Sequence, residues 1–567
     1  LKNKTSGLDK DYATQWSYGK AETFSLMIPN IKGGASDLLI NNKKAIATIE
    51  PKYRRALYEA QINQYWGDQP FTSGAVYTGA FVVFLFILGL FIVKGKYKWF
   101  LLIATIISIL LAWGKNFMWL SDIFLDYFPG YNKFRAVSMI LVIAELSIPI
   151  LAVITLYEIY KKPTIIKENK KWFFISLALT AGLALLFWLM PTTFFSFFSA
   201  KELEEFSKQA GQKGLDEFLN IIETARIAVF KADVIRSFLF IIIGAGLIYL
   251  WSFFKLHKTV FLLALPVIFA ADLIPVTNRY LNKDNYVNKK IIDNPFPISK
   301  ADEIILNDKE AYFRVYNMTV NTFNDASTSY YHKSVGGYHG AKLKKYQEFI
   351  DYVLIPEITT FYSVIKNNPT DSSLKAALYN MKGFNMLNTK YIIYNKDAPP
   401  LLNPYALGNA WFINNIKIVP DANTEITEVA NIDPSNTVVV DKRYEHLFVN
   451  KDIKRDTNAK IMLISYKPNC LEYKVENLKH THLAVFSDIF YPNGWNAYLD
   501  GQIVPHFRVN YLFRAMIMPP GNHSVIFKFE PKIFYIGERI SLVGSILLYL
   551  TLLTTLYWQI RRKRKKC

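Results

Sequence analysis

Between Gly114 and Arg135 the sequence interleaves cations, carboxylates and aromatic rings, among them Lys115, Trp119, Asp122, Asp126, Tyr127, Lys133 and Arg135. Lysine and arginine in such a mixture can hold an anion, and the rings suit the headgroup level of a bilayer. Lys133 and Arg135 stand at the outer end of an apolar stretch, against the trend that keeps positive charge in the cytoplasm. An interfacial anion is therefore one reasonable partner, and lipid headgroups are the plainer one. A second cluster, Trp66 to Ser73, directly precedes another apolar stretch and puts Asp68 at the same depth. Asp68 facing the same cavity competes with an N-capping role for Asp68 or Ser73. Glu145 lies inside an apolar stretch, where a carboxylate is either functional or paired to another helix. His480 and His482 would share one face of a strand; lacking a third ligand, they read as a polar outer face rather than a zinc site.

Several chemistries lack support. The chain has no Gly-rich phosphate loop ending in Lys-Ser/Thr, no GxGxxG, no CxxC and no HExxH, which argues against nucleotide-driven transport and zinc hydrolysis. Of its 567 residues 51% are hydrophobic and only 20% charged, a balance that excludes a disordered or purely soluble protein. Cys470 and Cys567 are too few for a disulfide framework or a four-cysteine metal site and do not choose a compartment. The formal charge of +20 is compatible with nucleic acid or with a membrane protein's cytoplasmic loops, so the position of the charges decides. The basic run Arg561 to Lys566 directly follows an apolar stretch and reads as a topology anchor facing anionic lipid, not as a nucleic-acid patch. The sequence begins Leu1-Lys2-Asn3, without an initiator Met or an apolar leader, so an N-terminally truncated chain is expected.

Seven stretches approach the ~20 helical residues needed to cross a bilayer. They run from Gly74 to Val93, Tyr97 to Trp113, Phe134 to Tyr160, Trp172 to Met190, Ile227 to Trp251, Thr259 to Pro275 and Phe534 to Ile560. With the basic tail in the cytoplasm, alternating crossings put Lys94 to Lys98, Lys161 to Lys171 and Lys255 to Lys258 inside, and the acid-rich Pro191 to Ala225 outside. One orientation satisfies every loop. The fold class expected is an α-helical polytopic membrane protein of about seven spans with an extracytoplasmic α/β plus β-sandwich domain. Its parts are an outer loop region, 1–73; six spans, 74–275; a mixed α/β region, 276–469; a β-sandwich-like region, 470–532; and a final span with a basic cytoplasmic tail, 533–567. The sandwich rests on the period-two alternation of Leu471, Tyr473 and Val475 with charged residues, and of Val525, Phe527 and Phe529 with Ile526 and Lys528. Asp500-Gly501 and Pro519-Pro520-Gly521 supply turns.

Seven further stretches carry a resemblance. Tyr12 to Gly19, Ile28 to Ser36, Tyr65 to Pro70, Asn132 to Met139, Ser329 to His339, Met386 to Tyr391 and Pro492 to Gly501 resemble, in order along the chain, the YfhO family of bacterial membrane proteins in its Bacteroidetes form. The family is similar to GT-C glycosyltransferases, multi-span enzymes that move a sugar from a polyprenyl-phosphate carrier to an acceptor outside the cytoplasmic membrane. The resemblance implies a polyprenyl-phosphate-linked sugar and an envelope glycan or glycoconjugate as partners, a bacterial cytoplasmic (inner) membrane location with a cytoplasmic C-terminus, and a catalytic carboxylate upstream of Leu1. It implies no nucleic acid, and no cofactor beyond a possible divalent metal. The transfer needs a carboxylate to take the acceptor proton and cations to stabilise the departing phosphate. By depth and charge, Lys115, Lys133 and Arg135 are the carrier-phosphate candidates. Asp68, Asp122 and Asp126 are candidates for positioning sugar or acceptor, or for a metal ion, with Trp119 and Tyr127 stacking on sugar or anchoring at the interface. Two other classes compete: a lipid-linked glycan transporter whose path includes Glu145, and a noncatalytic envelope-assembly scaffold.

Overall fold

The computed structural model describes residues 8–209, 211, 213–254, 256–367, 369–448 and 459–564. The chain divides into two compact units, Lys2–Asn288 and Lys289–Cys567.

In the first unit, polar segments and apolar helices alternate much as the hydropathy requires, but the helices long enough to span are fewer than the seven apolar stretches. Among the described residues five helices are long and apolar enough to span: Val137–Lys161, Lys170–Leu189, Leu215–Phe253, Lys258–Tyr280 and Lys532–Arg562. Tyr97–Ala112 and Gly114–Tyr127 meet at a bend of 113° and make a sixth if counted together. The bend has a steric cause. Gly114 adopts φ +46, and a Cβ there would lie 2.1 Å from Ser17 Oγ. The stretch expected as the first span contains a helix of only 13 residues, Ala80–Ile92, about 20 Å long at 1.5 Å per residue and short of the ~30 Å apolar core. Its start is fixed where the Ala80 N–H donates to Tyr77 Oη (2.9 Å) and Asp272 Oδ2 (3.0 Å), and its end where Val93 turns extended.

The 39-residue helix Leu215–Phe253 is the opposite case, at roughly 58 Å nearly twice the thickness of the apolar core. Ile222, Ala225 and Val229 near its N-terminal end form a core with Leu39, Ala45, Ile49, Leu57 and Ile62 from the polar segment. Further along, helices approach closely at glycines. A Cβ on Gly244 would lie 2.2 Å from the Phe81 ring, and one on Gly89 2.1 Å from Thr155 Oγ1. Small residues at helix contacts are how apolar helices gain dispersion contacts where lipid removes most of the hydrophobic drive.

The second unit is built on sheets. Arg314–Asn317 pairs in parallel with Thr389–Ile393, which pairs antiparallel with Leu401–Leu402, and Asn415–Val419 lies parallel to Thr437–Asp441. A five-stranded sheet runs in the order Gln502–Val504, Trp495–Leu499, Gly521–Phe529, Cys470–Leu478, Lys460–Lys467. A four-stranded sheet runs Phe507–Val509, Phe513–Met518, His482–Ile489, Ala410–Ile413. Leu471, Tyr473, Val475, Val525 and Phe527 of the first share a core with Phe486, Met516 and Met518 of the second. The Phe486 ring lies 4.9 Å from Tyr473 and 4.8 Å from Phe527. Asp500 (φ 49) and Gly501 (φ 82) form the two-residue turn between Leu499 and Gln502, the left-handed geometry that matches strand twist. At Pro519-Pro520-Gly521 the chain passes from one sheet to the other. The sheet pair also takes in Lys460–Lys467 and Ala410–Ile413, strands that precede Cys470 in the chain.

His480 and His482 do not form the polar face expected of them. His480 precedes the strand and is exposed, whereas His482 opens it, fully buried, with its ring 5.0 Å from Phe412.

Gly244 and Gly246 make a paired test of the packing, because a Cβ on Gly246 meets nothing within 4 Å. Gly244→Ala is expected to destabilise the detergent-purified protein by ~1–3 kcal/mol through overpacking, while Gly246→Ala leaves the melting temperature unchanged or slightly higher. Thermal unfolding of both variants beside wild type measures the difference.

Candidate functional site

The strip Leu8–Gly19 crosses the polar ends of several helices and brings the six candidate residues into one neighbourhood. Its backbone does most of the binding. Leu8 N donates to Asn132 O (2.8 Å), Ser138 N to Trp16 O (3.3 Å) and Tyr18 N to Ala112 O (2.8 Å). Lys115 N donates to Ser17 Oγ (2.7 Å), and the Asn116 amide bridges Tyr18 O and Asp68 Oδ2, both at 2.9 Å. The loop carrying Lys115 and the loop carrying Lys133 are thus sewn to opposite ends of one short strip.

The six candidates fall into three states. Asp122 and Asp126 lie one turn apart on the helix Met118–Tyr127 and share Lys10, whose Nζ is 2.5 Å from one carboxylate and 2.8 Å from the other. Those carboxylates raise the ammonium's pKa. A divalent cation at the aspartate pair would have to displace Lys10, and among the described residues no group of three or more His, Cys, Asp or Glu is placed to hold a metal. Asp68 is exposed and accepts from Asn116. Lys115 and Lys133 are exposed cations with no ion pair among the described residues.

Arg135 differs from all of these. Its guanidinium sits over the rings of Tyr12 (5.4 Å) and Trp16 (5.0 Å), with Nη1 donating to Tyr12 Oη at 2.6 Å. Stacking of this kind holds a guanidinium in place while leaving most of its N–H groups available. Among the described residues no carboxylate pairs with it, whereas Arg226, Arg236 and Arg279 each have one.

Reasoning from the sequence missed Glu22. Only 3% exposed, its carboxylate accepts from Gly19 N (2.6 Å), Tyr65 Oη (2.6 Å) and Asp68 N (3.3 Å). It therefore joins the strip to the Trp66–Ser73 cluster. Burial raises its pKa against the opposing effect of these donors. Lys32 lines the same small cavity, donates to Ser196 O (2.8 Å) and has its pKa lowered by burial. Nothing near Glu22 in the sequence marks it, because its donors come from as far as 46 residues away.

Glu145, the intramembrane carboxylate, is exposed on the helix Val142–Lys161, and no ion pair reaches it among the described residues. The paired charges within the apolar helices are others. Asp233 takes Arg279 at 2.5 and 2.8 Å, and Asp272 takes Arg236 at 2.9 Å together with Tyr77 Oη at 2.6 Å.

The family model described as bacterial membrane protein YfhO matches residues 432–541. That range covers most of the paired sheets and the start of the last helix. Of the stretches that carry the resemblance in the sequence, Pro492 to Gly501 lies inside it. No curated protein and no solved structure matches the chain.

Glu22 sets a pH dependence. Below the ordinary carboxylate range both folded and unfolded states hold the proton. As pH rises, the unfolded state releases its proton first, so wild-type stability falls until the folded-state pKa is passed. Glu22→Gln keeps the shape without the charge. The melting temperatures of variant and wild type are expected to agree at pH 4 and to separate in the variant's favour toward pH 8, as a pH series of thermal melts would record.

Proposed function

We propose that this YfhO-family membrane protein transfers a sugar from a polyprenyl-phosphate carrier to a cell-envelope glycan or glycoconjugate on the outer side of the bacterial cytoplasmic membrane. The observation that carries this reading is the aromatic cradle of Arg135. A guanidinium held between Tyr12 and Trp16, short of a carboxylate partner, stands just before the apolar helix Val137–Lys161. Membrane-bound phosphate is the anion whose chemistry and depth fit it.

In the reaction proposed, an acceptor hydroxyl oxygen attacks the anomeric carbon of the carrier-linked sugar. The bond from that carbon to the phosphate oxygen breaks, and polyprenyl phosphate leaves with the electron pair. Arg135 binds the phosphate and stabilises the charge that grows on it, with Lys133 and Lys115 adding positive potential. Asp68, held by Asn116, positions a sugar or acceptor hydroxyl. Asp122 and Asp126 act through Lys10, fixing the strip that carries Tyr12 and Trp16. The hydroxyl proton passes to a carboxylate acting as general base, and the reaction so written uses neither nucleotide nor nucleic acid. The proposed topology keeps the C-terminus in the cytoplasm and the sheet-rich unit outside. In a transporter the same cations would bind carrier phosphate without bond cleavage, and in a scaffold they would be dispensable.

The test is transfer of radiolabelled sugar from polyprenyl-phosphate carriers to an envelope extract by membranes holding wild type, Arg135→Glu, Tyr12→Phe or no protein. Label is expected to move with wild type. Arg135→Glu is expected to reduce transfer at least tenfold with an unchanged melting temperature, and Tyr12→Phe, which keeps the ring and loses the hydroxyl, to reduce it less. Transfer unaffected by Arg135→Glu would remove Arg135 from the site, and no transfer with any carrier would overturn the enzymatic reading.

A further inference from the structure

The second unit holds a cleft of about 530 Å³ beside the parallel strand pair, lined by two stretches, 305–314 and 329–334. That size lies within the ~300–1,000 Å³ range of small-ligand sites. Its walls combine exposed aromatic rings with polar groups of both signs. Tyr330 is 53% exposed and sits in an edge-to-face chain of rings, 5.4 Å from Phe296 and 4.9 Å from Tyr331. Tyr331 Oη donates to Phe296 O at 2.6 Å, which fixes the corner those rings make.

Most of the charges around the cleft have partners. Asp308 and Glu310 both pair with Lys390 at 2.6 Å. His332 pairs with Asp302 at 2.8 Å. Arg314, buried, donates through Nη1 to the carbonyls of Leu387 (2.7 Å) and Ser487 (3.2 Å). Lys333 Nζ lies over the Tyr466 ring at 5.5 Å. A ligand entering here meets hydroxyls, carboxylate lone pairs and a flat aromatic face, with cations and carboxylates both present in the walls. A strongly anionic ligand would face the Asp308 and Glu310 carboxylates, and a purely apolar one would strip these polar atoms of water without return. A neutral molecule that carries many hydroxyls on one side and a C–H face on the other satisfies both walls. Sugar rings have that character.

We infer that this cleft binds a short neutral oligosaccharide, stacked on Tyr330 and hydrogen-bonded by Ser329, Ser334 and the carboxylates of Asp308 and Glu310. On the proposed function, on which this assignment of role rests, the bound saccharide is a segment of the acceptor. Binding itself needs neither carrier nor transfer, so the two can fail separately.

The experiment uses the full chain in detergent and reads saturation-transfer NMR and titration calorimetry with four probes: cellotetraose, mannotetraose, chitotetraose and tetragalacturonate. The variants are Tyr330→Ala, Tyr330→Phe and, as a control on an exposed tyrosine outside the cleft, Tyr352→Ala. At least one neutral tetrasaccharide is expected to bind wild type. Tyr330→Ala is expected to weaken that binding tenfold or more, while Tyr330→Phe and Tyr352→Ala stay within twofold. Binding of none of the neutral probes, equal binding by Tyr330→Ala, or preference for tetragalacturonate would overturn the inference. Binding intact in a protein that transfers no sugar would leave the cleft standing and remove the enzymatic reading alone.

Discussion

A bilayer offers no water to a charge, and the helix Leu215–Phe253 carries Arg226, Asp233 and Arg236 along its length. Much of the first unit follows from finding partners for these three. Arg226, fully buried, takes Glu202 through both carboxylate oxygens (2.6 and 3.0 Å) and donates to the carbonyls of Phe197 (2.8 Å) and Asn63 (2.6 Å). Asp233 takes Arg279 and also the backbone N–H of Asn30 at 3.1 Å. Arg236 takes Asp272, whose second oxygen caps Ala80. Each pair therefore does two jobs. It neutralises a charge in a low-dielectric setting, where losing one partner costs several kcal/mol, and it grips the polar segment that leads into the helix Ala80–Ile92. Asn30, Asn63, Tyr77 and Ala80 are all held this way. The strip that carries Tyr12 and Trp16 is anchored to the same segment through Glu22, Tyr65 and Asp68.

This arrangement explains what was legible in the sequence and what was not. Apolar runs mark most of the helices because hydropathy is a local property, and the alternation of Leu471, Tyr473 and Val475 marks a strand for the same reason. The Asp500-Gly501 turn was legible because two successive left-handed residues suit few other local structures. Helices long enough to span are fewer than the apolar runs where a run is broken by geometry. Ala80–Ile92 starts where Asp272, 192 residues away, accepts from its first N–H, and the run from Tyr97 bends at Gly114, where φ is +46 and Ser17 leaves no room for a Cβ. The strand Ala410–Ile413 joins a sheet whose other members all lie beyond residue 481, a pairing no local pattern encodes.

The candidate site shows the same division. Lys115, Asp122, Asp126, Lys133 and Arg135, singled out by depth and charge, lie with Asp68 around one strip. What each side chain does there depended on partners far along the chain. Lys10 turns two apparently free aspartates into one ion-paired group, and Tyr12 and Trp16 turn an interfacial arginine into a fixed one. Glu22 carries no signature at all, because a buried carboxylate is recognised by its donors and not by its neighbours in sequence.

Commitment of charge separates the two proposed binding regions. Around Leu8–Gly19, Asp122 and Asp126 are occupied by Lys10, Asp68 accepts from Asn116 and Asp9 accepts from the Asp11 N–H, with Asp11 itself exposed; among the described residues Arg135, Lys115 and Lys133 have no ion pair and offer positive charge to an anion. In the cleft beside Tyr330 the acids Asp308 and Glu310 are paired with Lys390 and Asp302 with His332, and aromatic surface and hydrogen-bonding capacity stay open. A fixed guanidinium discriminates by charge and geometry at the point of contact. Paired groups around a ring face discriminate by shape and hydroxyl pattern, because any ligand charge must first compete with an existing partner. A transferase acting on a phosphate-linked donor and a polymeric acceptor needs one region of each kind, and a chain that merely anchors polymer needs only the second. In the proposed reaction it is Arg135, without an ion pair among the described residues, that a transferase would use and a scaffold would not.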